Sequence, residues 1–550
     1  MTGPATDFRL YHSNALDVLA GILADVLREP APGQSLLAPE VVLIPQVAMR
    51  RWLQATLAAE HGVAANLEFL TPGEFVGRAL AANLPAGEPA VRDELDAATL
   101  PWHVYAALTD PGVLAMPSMA AIAAHVGDGD PLRAWALAGE LAGVFEKYQA
   151  WRRDWLLRWE AGADPADPQA ILWRRVAGGR AHRARRIQQY LERFGTPDGP
   201  LPAGLPPRLS AFATLPVSPD VLRVIASQAR VGSLHCFVPS PVADYWGDLQ
   251  RLRRGETRED AAEHPLLQRW GAAGVDFMRM VGDYEVVHAS ADFAVHADPG
   301  EGGGALRGSL LRRLQSDLFQ RRPVPGAPPR AQVDRHDPSL QLHASHTRLR
   351  ELQVLHDQLR GLFDDRRFDP PLQPREVAVL APDIDPYLPY LDAVFGRRGQ
   401  DDAIPYALAD ASPLANEPLA EVFLRLLALP VSRFGLHEVL DLLSTPALAE
   451  ANGLDAPALE RLQAWLQDAG ARWGIDAGHR ARLDAPEDEA YTWAFALDRL
   501  LLGHATGSDA PIVLPGGQVL APLPLLEGGT LDALDVLVRL LRELARHARL

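Results

Sequence analysis

Val41-Val42-Leu43-Ile44 is apolar without interruption. A strand of that kind is buried on both faces, as in a parallel sheet covered by helices. The flanking sequence agrees. Phe8 to Tyr11 reads as a short strand, followed by a helix that starts near Ala15 and is capped by Ser13 or Asn14. Leu16, Leu19, Ile22, Leu23, Val26 and Leu27 mark its apolar face. After Ile44, Pro45-Gln46 turns the chain into a helix carrying Met49, Trp52, Leu53 and Leu57, with Trp52 expected in the core. Leu67 to Leu70 is a third strand. Thr71 then opens a helix with Pro72 first and Glu74 third, a capping box. The chain therefore begins as α/β.

The pattern changes over residues 100–190, which read as helical. Leu137, Leu141, Val144, Phe145, Tyr148, Trp155 and Trp159 predict one long amphipathic helix kinked near Trp151, with Trp155 in the core. After a proline-rich break at 196–207, strands return at Leu209 to Ala213 and Ser233 to Val238, around a helix at Val221 to Ser227. Residues 321–340 read as a linker. Beyond it, a second β-α-β opening is expected: strand Leu340 to Ala344, helix Leu349 to Phe363 and strand Val377 to Leu380. The division predicted is 1–320 as a first domain with a helical insertion, 321–340 as linker and 341–550 as a second domain. The last helix, Thr530 to Leu550, ends without a cap. It predicts a domain truncated at its C-terminal end, with Leu534, Val536, Leu537, Leu540, Leu541 and Leu544 as an uncovered, poorly soluble stripe.

The basic residues exclude several chemistries. Lys plus Arg totals 53, but Lys147 is the one lysine. A Walker A loop needs a lysine after its glycines to reach the phosphates. Lys147 lies in Val-Phe-Glu-Lys-Tyr, so no standard P-loop is present. The single cysteine, Cys236, excludes internal disulfides and CxxC metal sites. The N-terminus lacks the basic and apolar regions of a secretory signal, and no apolar run reaches ~18 residues. The expected location is cytoplasmic. At a net charge of −17, any nucleic-acid contact must come from local arginine patches.

The strongest such patch lies in Ile171 to Tyr190, with Arg174, Arg175, Arg180, Arg183, Arg185 and Arg186 and no acid. It reads either as a solvated face or as a phosphate-binding surface. Nearby, Trp151, Arg152, Arg153 and Trp155 mix arginine with aromatics, as single-strand binders do. Asp383 and Asp385 could hold a metal at a strand end, although an ordinary turn accounts for them. His343, His346 and His356 lack zinc-ligand spacing, His437-Glu438 lacks a second histidine, and Gly302-Gly303-Gly304 reads as a loop.

Several blocks, in order along nearly the whole chain, resemble the exodeoxyribonuclease V gamma subunit (RecC) family. They include Leu10-Tyr11-His12-Ser13-Asn14, Trp52-Leu53-Gln54, Ala64-Ala65-Asn66, Asp154-Trp155-Leu156 and Tyr245-Trp246-Gly247-Asp248. Val354-Leu355-His356-Asp357, Ala381-Pro382-Asp383-Ile384-Asp385, Ile404-Pro405-Tyr406-Ala407 and Arg472-Trp473-Gly474-Ile475-Asp476 continue the series. The likeness covers about the first half of a gamma subunit; the family's C-terminal nuclease-like domain is not matched.

The resemblance implies superfamily 1 helicase-like α/β domains that have lost their ATPase motifs. It implies a non-catalytic scaffold that splits DNA and passes single strands beside a beta (RecB) and an alpha (RecD) subunit, in double-strand break repair by recombination. No cofactor is expected on this chain; ATP and Mg2+ belong to the partners. The family's N-terminal channel reads the Chi sequence. Arg152 and Arg183 match its channel arginines, and Arg185, Arg186, Arg50, Arg51 and Lys147 complete the expected DNA contacts. Pro45 to Ala48, Arg50-Arg51, Thr71 and Gly77 depart from the family pattern, so strand passage is expected but not the same Chi octamer. The rival readings are an autonomous DNA-dependent ATPase or helicase, and a metal-dependent hydrolase using Asp383 and Asp385.

Overall fold

A computed structural model describes residues 6–548 except 36, 85–92, 128–129, 197–198, 215–216, 250–263, 283–288, 305, 323–333, 335, 397–402, 410–416, 515–516, 518 and 525–530. Most of the expected linker, and the last two residues of the chain, lie outside the described residues. The chain divides into two units, one of residues 1–344 and 365–371, the other of residues 345–364 and 372–550.

Among the described residues the first unit is built on six parallel strands: β1 (Asp7–Ser13), β2 (Glu40–Leu43), β3 (Leu67–Leu70), β4 (Arg208–Phe212), β5 (Ser233–Pro239) and β6 (Ala291–Ala294). Their order is β3-β2-β4-β5-β1-β6. Side chains alternate between the faces, as strand geometry requires. Phe8, Leu10, Val41, Leu43, Leu209, Ala211, Leu234 and Cys236 point into one core, against α3 (Pro72–Asn83). Tyr11, Val42, Ile44, Phe212 and Phe237 point into the other, against α1 (Leu16–Arg28) and α2 (Val47–His61). The apolar run at 41–44 thus serves both layers.

Thr71 forms the expected capping box with Glu74. The cap of α1 differs from expectation. Ala15 occupies the cap position without a side-chain bond, because Asn14 is drawn away to Ala297 and the Ser13 hydroxyl accepts only the Ala15 N–H. Trp52 is exposed, tilted over Phe212 rather than enclosed.

Between α3 and β4 the described residues form seven α-helices with their own core: α4 (Leu100–Leu108), α5 (Pro111–Leu114), α6 (Ala120–Val126), α7 (Pro131–Trp151), α8 (Arg153–Glu160), α9 (Pro168–Ala177) and α10 (Arg183–Phe194). The expected single kinked helix is two helices, α7 and α8. Arg152 leaves helical geometry at φ −136° and ψ 41° and belongs to neither interior. Trp155 is exposed, not core; Leu156 and Trp159 take the buried positions. Beyond β4, α11 (Pro219–Ala226) returns the chain to the sheet.

The second unit is mostly helical among its described residues. The helix Arg348–Phe363 is present, but the strands expected on either side of it are not. Residues 340–344 and 377–380 pair with no strand among the described residues, and Leu342 and Leu380 are 97% and 93% exposed. An apolar pattern becomes a strand only where a neighbour accepts its ladder of hydrogen bonds. The expected second β-α-β opening is therefore a helix flanked by segments without regular structure, the first of which, 340–344, falls in the first unit. The stripe on the final helix, Leu531–His547, is also corrected. Leu534, Leu537, Leu541 and Leu544 are buried in a core with Leu462, Leu466, Trp493 and Leu500.

Candidate nucleic-acid interface

In a parallel sheet, ligands meet the carboxyl ends of the strands. Those ends here carry Pro45 and Gln46 after β2, Thr71 after β3 and the loop to α11 after β4. Arg50 and Arg51 follow on the first turns of α2, both exposed, with the Arg50 guanidinium 5.7 Å from the Phe69 ring centre.

The α7–α8 break is fastened to the same edge. Arg153 Nη2 lies 3.2 Å from Asp220 Oδ1 in the first turn of α11, which also holds Arg223 at 3.6 Å. Burial pushes the Asp220 carboxyl up, opposed by Arg153 and Arg223. Sequence reading missed this anchor, because no local spacing links Arg153 to Asp220. It presents Arg152 outward, its guanidinium 5.3 Å from the Trp155 ring centre and its Nη1 donating to the Trp151 carbonyl at 3.2 Å. Lys147 lies one turn before Trp151 on the exposed side of α7. Trp151 and Trp155 are partly exposed beside Arg152, the mixture of aromatic and cation that single-strand binders use. The negative end of the α7 dipole favours Arg152 and Lys147.

The arginines of α9 and α10 are mostly engaged within the insertion. Arg174 donates to the carbonyls of Trp159 and Ala163, at 3.2 and 2.8 Å. Arg175 pairs with Asp110 at 2.9 Å, and Arg180 donates to the Val176 carbonyl at 2.7 Å. Arg185 pairs with Glu160. Glu160 Oε1 also accepts from Trp173 Nε1 at 2.9 Å and lies 2.8 Å from His182 Nε2. Burial alone would raise this carboxyl, but bonds from His182, Trp173 and Arg185 outweigh it and hold it at about 2. The local excess of arginine is thus neither a bare solvated face nor a continuous phosphate site. Arg183, on the first turn of α10, and Arg186 are half-buried.

The other candidate groups stay apart. Asp383 accepts the Asp385 N–H at 3.2 Å in a turn that follows no strand. His343 contacts Gln341, and His356 packs on Phe395. Among the described residues no three potential ligands converge on a metal position, and no helix is long and apolar enough to cross a membrane.

The family model described as the N-terminal domain of RecC matches residues 8–321, more than half of the chain. The chain belongs to the RecC family. A second RecC model, for the fourth domain of that RecBCD enzyme subunit, matches residues 416–550. RecBCD enzyme subunit RecC of Escherichia coli (strain K12) is 30% identical over 91% of this chain and 48% of its own length. The RecC subunits of Haemophilus influenzae and Mycolicibacterium smegmatis are 27% and 29% identical, over 92% and 91% of this chain and 49% and 46% of their own lengths. The chain spans about half the length of the curated relatives it matches. The collinear blocks thus identified the family from the sequence.

Proposed function

We propose that the chain acts as a non-catalytic, strand-guiding RecC component of an exodeoxyribonuclease V (RecBCD) complex, beside RecB and RecD, in cytoplasmic double-strand break repair by recombination. The RecC match at both ends of the chain carries this reading. Its sheet serves as an inactivated superfamily 1 helicase-like domain. The β1–α1 turn, where a phosphate loop would sit, supports this. Asn14 Nδ2 donates to the Ala297 carbonyl at 2.7 Å, the Ala297 N–H returns to Asn14 Oδ1 at 3.2 Å, and the Ser240 N–H takes the Ser13 carbonyl at 2.8 Å. The turn is tied to its neighbours and carries no lysine, so nothing there cradles a triphosphate. ATP and Mg2+ then act on the partner subunits. The purified chain should hydrolyse no ATP, with or without DNA; turnover that co-purifies with it and disappears in Lys147→Ala would support the autonomous-ATPase reading instead.

Arg152, Lys147, Arg50 and Arg51 are the strand contacts in this reading, with Arg183 and Arg186 lining the insertion side. Arg185 acts chiefly by holding Glu160. A bidentate arginine on a base edge contributes ~1–3 kcal/mol of discrimination, whereas a phosphate contact only positions the strand. Arg152→Ala or Arg183→Ala in an assembled complex should alter sequence-dependent control of degradation more than bulk unwinding. Arg50→Ala and Arg51→Ala should weaken single-strand binding uniformly and flatten its salt dependence. Unchanged regulation in both Arg152→Ala and Arg183→Ala complexes would remove these residues from the channel.

A further inference from the structure

The second unit holds a cleft that the strand-guiding role does not use. It opens between the helix Trp493–Thr506 and the final helix Leu531–His547, with a volume of about 520 Å³. Phe434, Trp493 and Leu541 form its floor and are buried. Ala494, Leu497 and Leu501 line one wall, Val538 and Ala545 the other. The floor is rigid. Phe434 stands at φ +54°, a conformation that a bulky side chain keeps only where its surroundings enforce it. Here the Trp493 indole N–H donates to the Phe434 carbonyl at 2.8 Å, and the Ser432 hydroxyl accepts the Phe434 N–H at 2.9 Å. A preformed, mostly apolar cleft of this volume with a few polar groups at its rim is the usual form of a binding site.

The walls select the occupant by shape and by charge. Ala494, Leu497 and Leu501, like Val538, Leu541 and Ala545, recur at spacings of three and four, so each wall is one face of a helix. At ~1.5 Å per residue each stripe runs ~10 Å, about two turns. Such a groove takes a third helix whose apolar anchors recur at the same spacing. The rims are opposite in charge. Asp498 stands on the first wall, Arg542 and Arg546 on the second, and all three are exposed. Arg546 reaches Glu543 of its own helix at 2.6 Å, an exposed pair of little worth. Asp498 and Arg542 make no ion pair among the described residues. Asp476, also on the cleft, is engaged as the cap of the helix Ala477–Arg482, accepting the His479 N–H at 2.7 Å. The selecting charges therefore line the cleft itself. A helix with acids along one flank of its apolar stripe and a base along the other matches both rims, and that match fixes its direction. A nucleic-acid strand, negative throughout, matches one rim and is repelled by the other.

We propose that this cleft docks an amphipathic helix of a partner subunit, its acidic flank against Arg542 and Arg546 and a basic residue against Asp498, an inference that rests on the function proposed above. The test measures binding of the full chain to the beta and alpha subunits of the same organism, and to an oligothymidylate, in Ala545→Trp, Arg542→Glu and Arg461→Glu. Ala545→Trp fills the cleft. Arg542→Glu reverses one rim at an exposed position, so it separates docking from folding. Arg461→Glu makes the same change of charge on the exposed side of the helix Ala456–Ala469, outside the cleft lining. Ala545→Trp and Arg542→Glu are expected to weaken binding to the same one subunit by about 30-fold or more. Arg461→Glu should bind as the parent does, and oligothymidylate affinity should stay constant throughout. Failure of the unaltered chain to bind either subunit would overturn the proposed function and the docking site together. Subunit binding that survives both cleft variants, or that falls equally in Arg461→Glu, would overturn the docking site alone. So would loss of oligothymidylate binding in Arg542→Glu, which would make the cleft a strand site. Conversion of a self-associating chain to monomer in Ala545→Trp would assign the cleft to a second copy of the chain, and would overturn the proposal as well.

Discussion

Glu160→Ala should loosen the helical insertion by about 3–5 kcal/mol, the cost expected when one member of a buried charged network is removed and its partners remain. The carboxylate closes α8 and receives Trp173, His182 and Arg185 from α9 and α10. His182 is fully buried, and its Nδ1 faces the Arg185 N–H at the start of α10. Its Nε2 faces Glu160 Oε1 at 2.8 Å, a polar contact that Glu160→Ala removes. Glu160→Gln keeps the shape but sets an amide N–H against the Arg185 guanidinium, so it should recover only part of the loss. The pH dependence follows from the same site. Glu160 titrates at about 2, below the ordinary 4.5. A depressed carboxyl contributes stability that is complete above the ordinary value and lost as pH falls through the folded one, here from 4.5 towards about 2. Hydrogen exchange across residues 153–194 is the measurement, because it reads the insertion separately from the rest of the chain. Unaltered protection in Glu160→Ala, or equal acid sensitivity in both proteins, would contradict this account.

The Glu160 network also marks where the sequence stops being readable. Local patterns were sufficient for the first three strands, for the capping box at Thr71 and for the helical character of 100–190, because periodicity and caps act over a few residues. Charge partners act across the fold. The arginines of Ile171 to Tyr190 read as a free basic face because Glu160 and Asp110 are remote in sequence. The same limit explains the missing strands at 340–344, which alternates, and at 377–380, which is an unbroken apolar run: pairing depends on neighbours that no local window contains. It explains the final helix too: its apolar stripe was plain, whereas its burial against Leu462, Leu466 and Trp493 depends on tertiary packing. At the candidate interface, the adjacency of Trp151 and Arg152 was legible in the sequence, since aromatic and cation are neighbours there. The Arg153–Asp220 link that turns Arg152 outward was not.

The largest effect in the sheet itself is expected at Arg208. This side chain is buried at the start of β4 and uses its whole fork. Nε and Nη2 bond the two Glu40 oxygens at 3.1 and 2.6 Å, and Nη1 donates to the Val26 and Glu29 carbonyls at 2.8 Å each. One guanidinium thereby caps the carboxyl end of α1 and joins it to the first residues of β2 and β4. Arg208→Ala leaves Glu40 without its counter-charge and returns two helix-end carbonyls to an unsatisfied state, at a cost of about 3–5 kcal/mol. Arg208→Lys should not rescue it. A single ammonium cannot bond a carboxylate side-on and reach two carbonyls at once, so most of the loss should persist although the charge is retained. If the interaction is as coupled as its geometry, Glu40→Gln and Arg208→Ala together should cost well under the sum of their separate effects. Additive costs in that cycle, or a lysine variant as stable as the parent, would show that charge alone holds this corner. The position lies at the amino ends of the strands, away from Arg50, Arg51 and Arg152. Oligonucleotide affinity should therefore be unchanged wherever the variant remains folded, which separates damage to the scaffold from damage to the interface.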